Sequence, residues 1–369
     1  MTSDDAITYA AAGVDTRAGD RAVELMKEAV ARTHGPEVVG GVGGFAGLFD
    51  ASALRGYRRP LLASSTDGVG TKIAIARAMD VHDTIGRDLV AMVVDDIVVC
   101  GAKPLVMTDY IACGKVVPER IADIVRGIAE GCEDAGVALV GGETAEHPGL
   151  MAPDDYDVAG AAIGVVEADD LLGPERIREG DAVIALASSG LHSNGFSLVR
   201  AIVDKAGWGL DREIAELGRT LGAELLEPTR IYSRLCLRLA AEPGTRAFSH
   251  VTGGGLAANL ARVIPAGLAA TVARDAWAVP PVFDVLRVAG AVPWGDLEST
   301  LNLGIGMVAV VDAEMADAAI ATCDDAGVGA WVLGEVGPDD GREGSSDVVR
   351  GAKGVDAGAV YLTSAYRTN

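Results

Sequence analysis

The chain has 369 residues, an apolar fraction of 49%, 48 glycines and a net charge of −22. That length suits two domains, each able to bury a substantial core, and the acidity argues against nucleic acid or an anionic membrane as a partner. No apolar run reaches the length of a membrane span, and the five scattered cysteines contain no Cys-x-x-Cys pair, so neither a zinc site nor a disulfide framework is expected. Met1 to Ile7 lacks the basic and apolar regions of a secretory signal, which makes a reducing cytoplasm the expected setting.

Residues 1–12 read as a loose lead-in. From Asp20, which fits an N-cap, the apolar residues Ala22, Val23, Met26, Ala29 and Val30 follow helical spacing, with Lys27 off that stripe. Five glycines fall within the eight positions from Gly40 to Gly47, beside Phe45, Leu48 and Phe49, and this reads as a ligand-hugging loop. Pro60 to Ala63 suits a buried strand, and Ser64 to Lys72 follows it as S-S-T-D-G-V-G-T-K. Gly68 and Gly70 let backbone approach a bulky ligand, and exposed N–H groups there can cradle an anion. Asp67 offers oxygen to a hard cation and Lys72 a compact positive charge, a combination suited to a nucleotide arriving with magnesium. A hairpin turn at Asp67-Gly68 is the plain alternative.

Thr84 to Leu105 carries the pattern of a largely buried helix ending near Gly101 and Pro104. Asp88, Asp95 and Asp96 interrupt its apolar character, and acids in a buried helix require pairing or a metal. Residues 106–113 read as a strand, 118–135 as an amphipathic helix and 137–140 as a second strand. That strand runs into Gly141-Gly142-Glu143-Thr144-Ala145-Glu146-His147, placed as a loop where α/β sheets hold ligands. The polar stretch near Leu172 to Gly180 marks the domain boundary. Beyond it, Ala182 to Ala187 is a strand that ends in S-S-G-L-H-S-N-G at 188–195, with His192, Ser193 and Asn194 on a strand-to-helix turn. Such a turn serves an anion or an oxyanion, or merely caps a helix. Helices are expected at 211–224, 227–241, 256–263, 279–290 and 314–326, and strands at 269–273, 305–313 and 329–336. Gly253, Gly254 and Gly255 precede the third of these helices and suit phosphate. Residues 338–369, rich in Gly, Asp and Ser, read as a partly disordered tail.

Eight runs in order then identify a family resemblance. They are A-G-V-D at 12–15, G-G-F-A-G-L-F-D at 43–50, T-D-G-V-G-T-K at 66–72, D-L-V-A-M at 88–92, G-G-E-T-A-E at 141–146, S-S-G-L-H-S-N-G at 188–195, T-G-G-G at 252–255 and N-L-G-I-G-M at 302–307. From about Tyr9 to about Val336 the chain resembles phosphoribosylformylglycinamidine cyclo-ligase, the aminoimidazole ribonucleotide synthetase of purine biosynthesis. The resemblance implies an α/β fold of α+β type: an N-terminal domain (1–172) whose mixed sheet forms a homodimer core and binds ATP, and a C-terminal α/β sandwich (173–337) that binds substrate. It implies ATP-dependent ring closure of formylglycinamidine ribonucleotide through an iminophosphate. Asp67, Asp96 and Glu143 would hold magnesium, with potassium a second candidate cation. Lys27, Lys72 and the Gly43-Gly44-Phe45 loop, with Gly68, Gly70 and Thr71, would bind the ATP phosphates. His192 and Asn194, with Lys27, would act on the reacting groups. Ser193 and Gly253 to Gly255 would seat the substrate. The family usually has Asn where this chain has Asp95, which leaves two aspartates competing for the metal role. Selenophosphate synthetase normally has a reactive Cys or selenocysteine near the N-terminus, and this chain has no Cys before Cys100. Thiamine-monophosphate kinase lacks the L-H-S-N-G loop in this form, and a non-catalytic regulator would be free to lose these acids and His192.

Overall fold

A computed structural model describes residues 13–41, 43–351 and 357–367. The lead-in at 1–12 lies outside them. Helix α1 (Thr16–Arg32) starts one turn before the expected Asp20, because the Asp15 carboxylate accepts the N–H groups of Arg17 and Ala18. The first sheet is built from β1 (Pro60–Gly68), β2 (Lys103–Cys113), β3 (Ala138–Glu146) and β4 (Tyr156–Glu167), in the order β1-β4-β2-β3. Only the β2–β3 pair is parallel, and helix α3 (Pro118–Ala135) supplies the crossover it requires.

Helix α2 (Thr84–Val98) lies between this sheet and α3, with Ile85, Leu89, Val90 and Val93 fully buried. Its approach to α3 depends on small residues: a Cβ on Gly127 would stand 1.8 Å from the Asp83 carbonyl oxygen. Among the described residues the opposite face of the sheet has no such cover, and Leu62, Tyr110 and Ile163 are 65%, 41% and 41% exposed there. Two expected loops are strand instead. Thr66 to Gly68 ends β1, and Gly141 to Glu146 continues β3. Glycine in these strands reflects close neighbours, since a Cβ on Gly142 would lie 2.2 Å from Asp109 Oδ1.

The second sheet has seven strands. They are β5 (Ala182–Ala187), β6 (Thr245–His250), β7 (Leu268–Ala273), β8 (Ile305–Val311), β9 (Ala330–Pro338), β10 (Val348–Arg350) and β11 (Ala359–Thr363), in the order β6-β8-β5-β9-β7-β11-β10. Helices α4 (Phe196–Ala206), α5 (Ser233–Ala240), α6 (Gly255–Ala261), α7 (Pro281–Gly290) and α8 (Ala316–Asp325) accompany it. The expected helix at 211–224 is mostly a short pairing of Glu213–Ile214 with Arg219–Thr220, turned at Gly218 with φ +65°. The helix expected over 227–241 begins only at Ser233, after Pro228.

The tail departs most from expectation. Strand β11 is an inner strand, parallel to β7 and antiparallel to β10, with Ala359, Val360 and Tyr361 buried. Its apolar run supplies a strand that the surrounding Gly and Asp content conceals.

Candidate active site

The strand ends of both sheets meet along one seam. Lys72 sits in it with no exposed side-chain surface, as does Asp88. Its ammonium lies 2.8 Å and 2.9 Å from the two Asp88 oxygens and donates to the carbonyls of His192 at 3.0 Å and Glu227 at 2.7 Å. Burial pulls the ammonium below its ordinary value, and Asp88 works against that pull. Lys72 is therefore a bolt between the domains, and it is not presented to a phosphate. Asp88, one of the acids expected to need pairing or a metal, is its buried partner and also accepts from the Thr229 N–H at 2.8 Å.

The turn after β5 has the same double character. His192 adopts φ +62° and is buried. The Ser189 N–H donates to its Nε2 at 3.1 Å, so the neutral ring carries its proton on Nδ1, which meets no partner among the described residues. Burial, reinforced by His250, Lys72 and Arg230, holds this imidazole well below its ordinary pKa. Ser193 was expected to touch substrate. Its hydroxyl is instead buried and donates to the Val69 carbonyl at 2.7 Å. Asn194 Oδ1 accepts the Gly253 N–H at 3.0 Å and so ties the His192 turn to the Thr252–Gly255 loop. Thr71 is exposed, with its hydroxyl 3.2 Å from that of Ser197.

Beside these loops lies an acidic group. Asp96 Oδ1 is 2.9 Å from His250 Nδ1, and His250 Nε2 is buried without a partner among the described residues. Burial opposes protonation of His250, but the Asp96 hydrogen bond and the charges of Asp95, Asp96 and Asp67 carry it above its ordinary value. Burial, then the like charge of Asp96, raises Asp67 against the Gly68 N–H that its Oδ1 accepts at 2.7 Å. Asp95 is fully buried and pushed up to about 7 by that burial; both its oxygens accept from the Tyr232 N–H at 3.1 Å. Asp95 is thus committed to backbone, and Asp96 keeps the exposed carboxylate. A cavity of about 340 Å³ opens here, lined by Ser64, Asp96, His250, Thr252, Asn259 and Arg262 among others.

Glu143 does not join this group. The register runs Asp67–Gly160–Asp109–Gly142 across four strands, which places Glu143 about 14 Å from Asp67. It pairs with Tyr110 on the other face of the sheet. Among the described residues no three His, Cys, Asp or Glu side chains converge as a ligand set, so Asp67, Asp96 and Glu143 are not one preformed metal cage. Asp67 with Asp96 remains a fitting oxygen pair, since a cation there would offset the burial, and the lesser repulsion from Asp96, that raise Asp67.

Glu143 instead lines a second cavity of about 310 Å³, with Gly43, Gly44, Ala22, Met26, Val140 and Asp109. Burial pushes Asp109 up to about 7. Lys27 is exposed on α1 and does not line this cavity, and Phe45 is fully exposed. Sequence reasoning missed His250 and Asp109. His250 ends a strand one residue before the T-G-G-G run, a position that could have flagged it. Asp109 carries no local signal.

The comparisons match this architecture. Residues 49–166 match the model of the AIR synthase related protein N-terminal domain, and residues 178–345 match that of its C-terminal domain. A phosphoribosylformylglycinamidine cyclo-ligase of Geobacillus sp. (strain WCH70) is 52% identical over 329 residues, 89% of this chain and 95% of its own. Among solved structures, thiamine-monophosphate kinase from Stenotrophomonas maltophilia K279a shares the fold, with TM-score 0.66 and 19% identity over 92% of this chain and 95% of its own. A hydrogenase maturation protein HypE in complex with ATP does so with TM-score 0.59 and 20% identity over 89% of each chain. The chain belongs to the phosphoribosylformylglycinamidine cyclo-ligase family of enzymes.

Proposed function

We propose that the chain closes the imidazole ring of formylglycinamidine ribonucleotide at the expense of ATP, giving aminoimidazole ribonucleotide, ADP and phosphate in purine biosynthesis. The formyl oxygen takes the γ-phosphoryl group of ATP, the amidine-side nitrogen attacks the resulting iminophosphate carbon, and phosphate leaves. The observation that carries this reading is the seam itself. A neutral His192 whose Nδ1 meets no partner among the described residues, the Asn194–Gly253 link and the Asp67–Asp96–His250 group stand together there, in a chain about half identical to named cyclo-ligases over most of its length. ATP in a related HypE structure supports the nucleotide.

In this reading the 40–47 loop and the Glu143 cavity receive the nucleotide, and Asp67 with Asp96 would hold magnesium. Bound magnesium supplies charge neutralisation of the transferring phosphoryl group. Neutral His192 can donate from Nδ1 or hand a proton onward at the reacting amide without first losing one. The glycine amides at 253–255 seat the ribose phosphate. The uncovered sheet face bearing Leu62, Tyr110 and Ile163 is apolar enough for a second copy, which supports a homodimer. A cytoplasmic setting and the division into an ATP-binding domain at 1–172 and a substrate domain at 173–337 belong to the same proposal. The test is ADP release by the purified chain with formylglycinamidine ribonucleotide, thiamine phosphate or selenide as acceptor. Release with the first alone is expected, and release with either of the others instead overturns the assignment.

A further inference from the structure

The family match ends at residue 345, yet the chain beyond it is built into the second domain. Tyr366 donates its hydroxyl to Glu298 Oε2 at 2.6 Å and packs edge-on to Trp277 and tilted on Trp294, with ring centroids 5.6 Å and 4.9 Å away. Arg274 grips the same Glu298 with two parallel bonds of 2.9 Å and reaches Asp347 at 2.9 Å. Arg274 and Glu298 side chains are only 11% and 13% exposed, so this is a shielded, planar pairing, unlike a loose surface bridge. The 279–367 backbone bond, Val279 N–H to the Arg367 carbonyl at 3.3 Å, fixes the segment on the far side of Tyr366.

Glu298 opens the stretch 298–304, which lies under both glycine loops of the seam. A Cβ on Gly255 would stand 1.8 Å from the Glu298 carbonyl oxygen. A Cβ on Gly195, the last residue of the His192 turn, would stand 2.3 Å from Leu301 Cδ2 and 3.2 Å from the Thr300 carbonyl oxygen. Asn302 donates to the Gly190 carbonyl at 2.9 Å, and its Oδ1 accepts the Gly304 N–H at 2.8 Å. Both loops therefore rest directly on one floor, Gly255 against the Glu298 backbone and Gly195 against the Leu301 side chain and the Thr300 carbonyl. A shift of that floor must move the loops.

We propose that the C-terminal segment is a strap in which Tyr366 acts as a positioning residue: through Glu298 and Arg274 it holds the 298–304 floor, and thereby the 190–195 and 252–255 loops, in the geometry that binds the phosphate-bearing substrate. This rests on the reading of those loops as the substrate seat, but the mechanical link stands on the contacts alone.

Two measurements on Tyr366→Phe and Tyr366→Ala separate the two. Amide hydrogen exchange reads the link without any substrate. Faster exchange at 190–195 and 252–256 is expected in both variants, larger for Ala, with the first sheet unchanged. Steady-state kinetics read the consequence. The KM for formylglycinamidine ribonucleotide should rise about tenfold in Tyr366→Ala and about threefold in Tyr366→Phe, with kcat falling in the same order because His192 rides on the loosened loop, and with the KM for ATP within about twofold of wild type. Unchanged exchange at both loops overturns the strap, even if the melting temperature falls. Faster exchange with an unchanged substrate KM overturns its role in binding. If the wild-type protein releases no ADP with this substrate, the function fails, and equilibrium binding of ribose 5-phosphate to the same variants replaces the KM arm with the same two outcomes.

Discussion

Replacing Lys72 with Met decides whether that lysine serves the fold or the ligand. Methionine matches the length of the stem but leaves Asp88, whose side chain has no solvent exposure, with only the Thr229 N–H and hydroxyl at 2.8 Å and 2.5 Å. The His192 and Glu227 carbonyls also lose their donor. Breaking a buried pair from one side costs about 3–5 kcal/mol, and the orphaned carbonyls add to it non-additively, so about 4–6 kcal/mol is expected. That is a large part of the ~5–15 kcal/mol that holds an ordinary domain together. The assay is urea unfolding followed by far-UV circular dichroism and by tryptophan emission, which reports the second domain because Trp208, Trp277, Trp294 and Trp331 all lie there. Lys72→Met/Asp88→Leu should recover about half of the loss, because the remaining penalty is no longer an unpaired charge. A Lys72→Met protein within about 1 kcal/mol of wild type, with a KM for ATP raised about tenfold, would refute the structural role and return Lys72 to the phosphates.

Asp67→Asn should abolish ATP turnover while leaving circular dichroism and the melting temperature near wild type; near-normal turnover removes Asp67 from the cation site. His192→Ala should lower kcat for ring closure by about a hundredfold with little change in ATP binding by calorimetry. Gly306→Ala should approach the same defect indirectly, since its Cβ would stand 2.1 Å from Tyr232 Oη and 2.3 Å from His192 Cε1; full activity there would show that His192 tolerates displacement. Asp109, held at about 7 by burial and so well above the ordinary carboxylate range, favours the folded state when protonated, so its contribution is complete below about pH 4 and is lost as pH rises to about 7. Asp109→Asn should therefore match wild type at pH 4 and exceed it by about 1–3 kcal/mol at pH 8 in urea melts, and a constant difference at both pH values would refute the shift.

What was legible in the chain was what periodicity encodes. Strands at 106–113 and 137–140 and the helix at 118–135 emerge because one-sided burial writes itself as spacing. Glycine was harder to interpret. Gly141 and Gly142 read as a loop, but they are strand, and Gly142 is small because Asp109 on the neighbouring strand occupies the space a Cβ would take. Lys72 was misjudged for the same kind of reason. Its surroundings of Gly and Thr imply exposure, while its partner Asp88 and its two carbonyl acceptors come from elsewhere in the fold. The tail was judged by average composition, which let residues 338–347 outvote the Ala359-Val360-Tyr361-Leu362 run.

The corrected lysine also changes how the site must be understood. In the proposed reading its groups come from both domains: Asp67 and Asp96 from the first, His192, Asn194 and His250 from the second. A displacement of about 1 Å between two such sets can cost about a hundredfold in rate, so the relative placement of the domains is itself part of the site. The seam is accordingly dense in bonds that cross it. Lys72 reaches the His192 and Glu227 carbonyls, Ser193 the Val69 carbonyl, Tyr232 N–H the Asp95 carboxyl, and Ser233 the Ala135 carbonyl. Two of these end within one residue of His192. In a chain of net charge −22, positive charge is scarce, and here a lysine at the centre of the most ligand-like motif is placed in the joint. The polyanionic nucleotide then lacks that ammonium, and an acidic group containing Asp67 and Asp96 would repel it. A divalent cation between them follows from that electrostatics, and the loss of ATP turnover in Asp67→Asn is where the argument can fail.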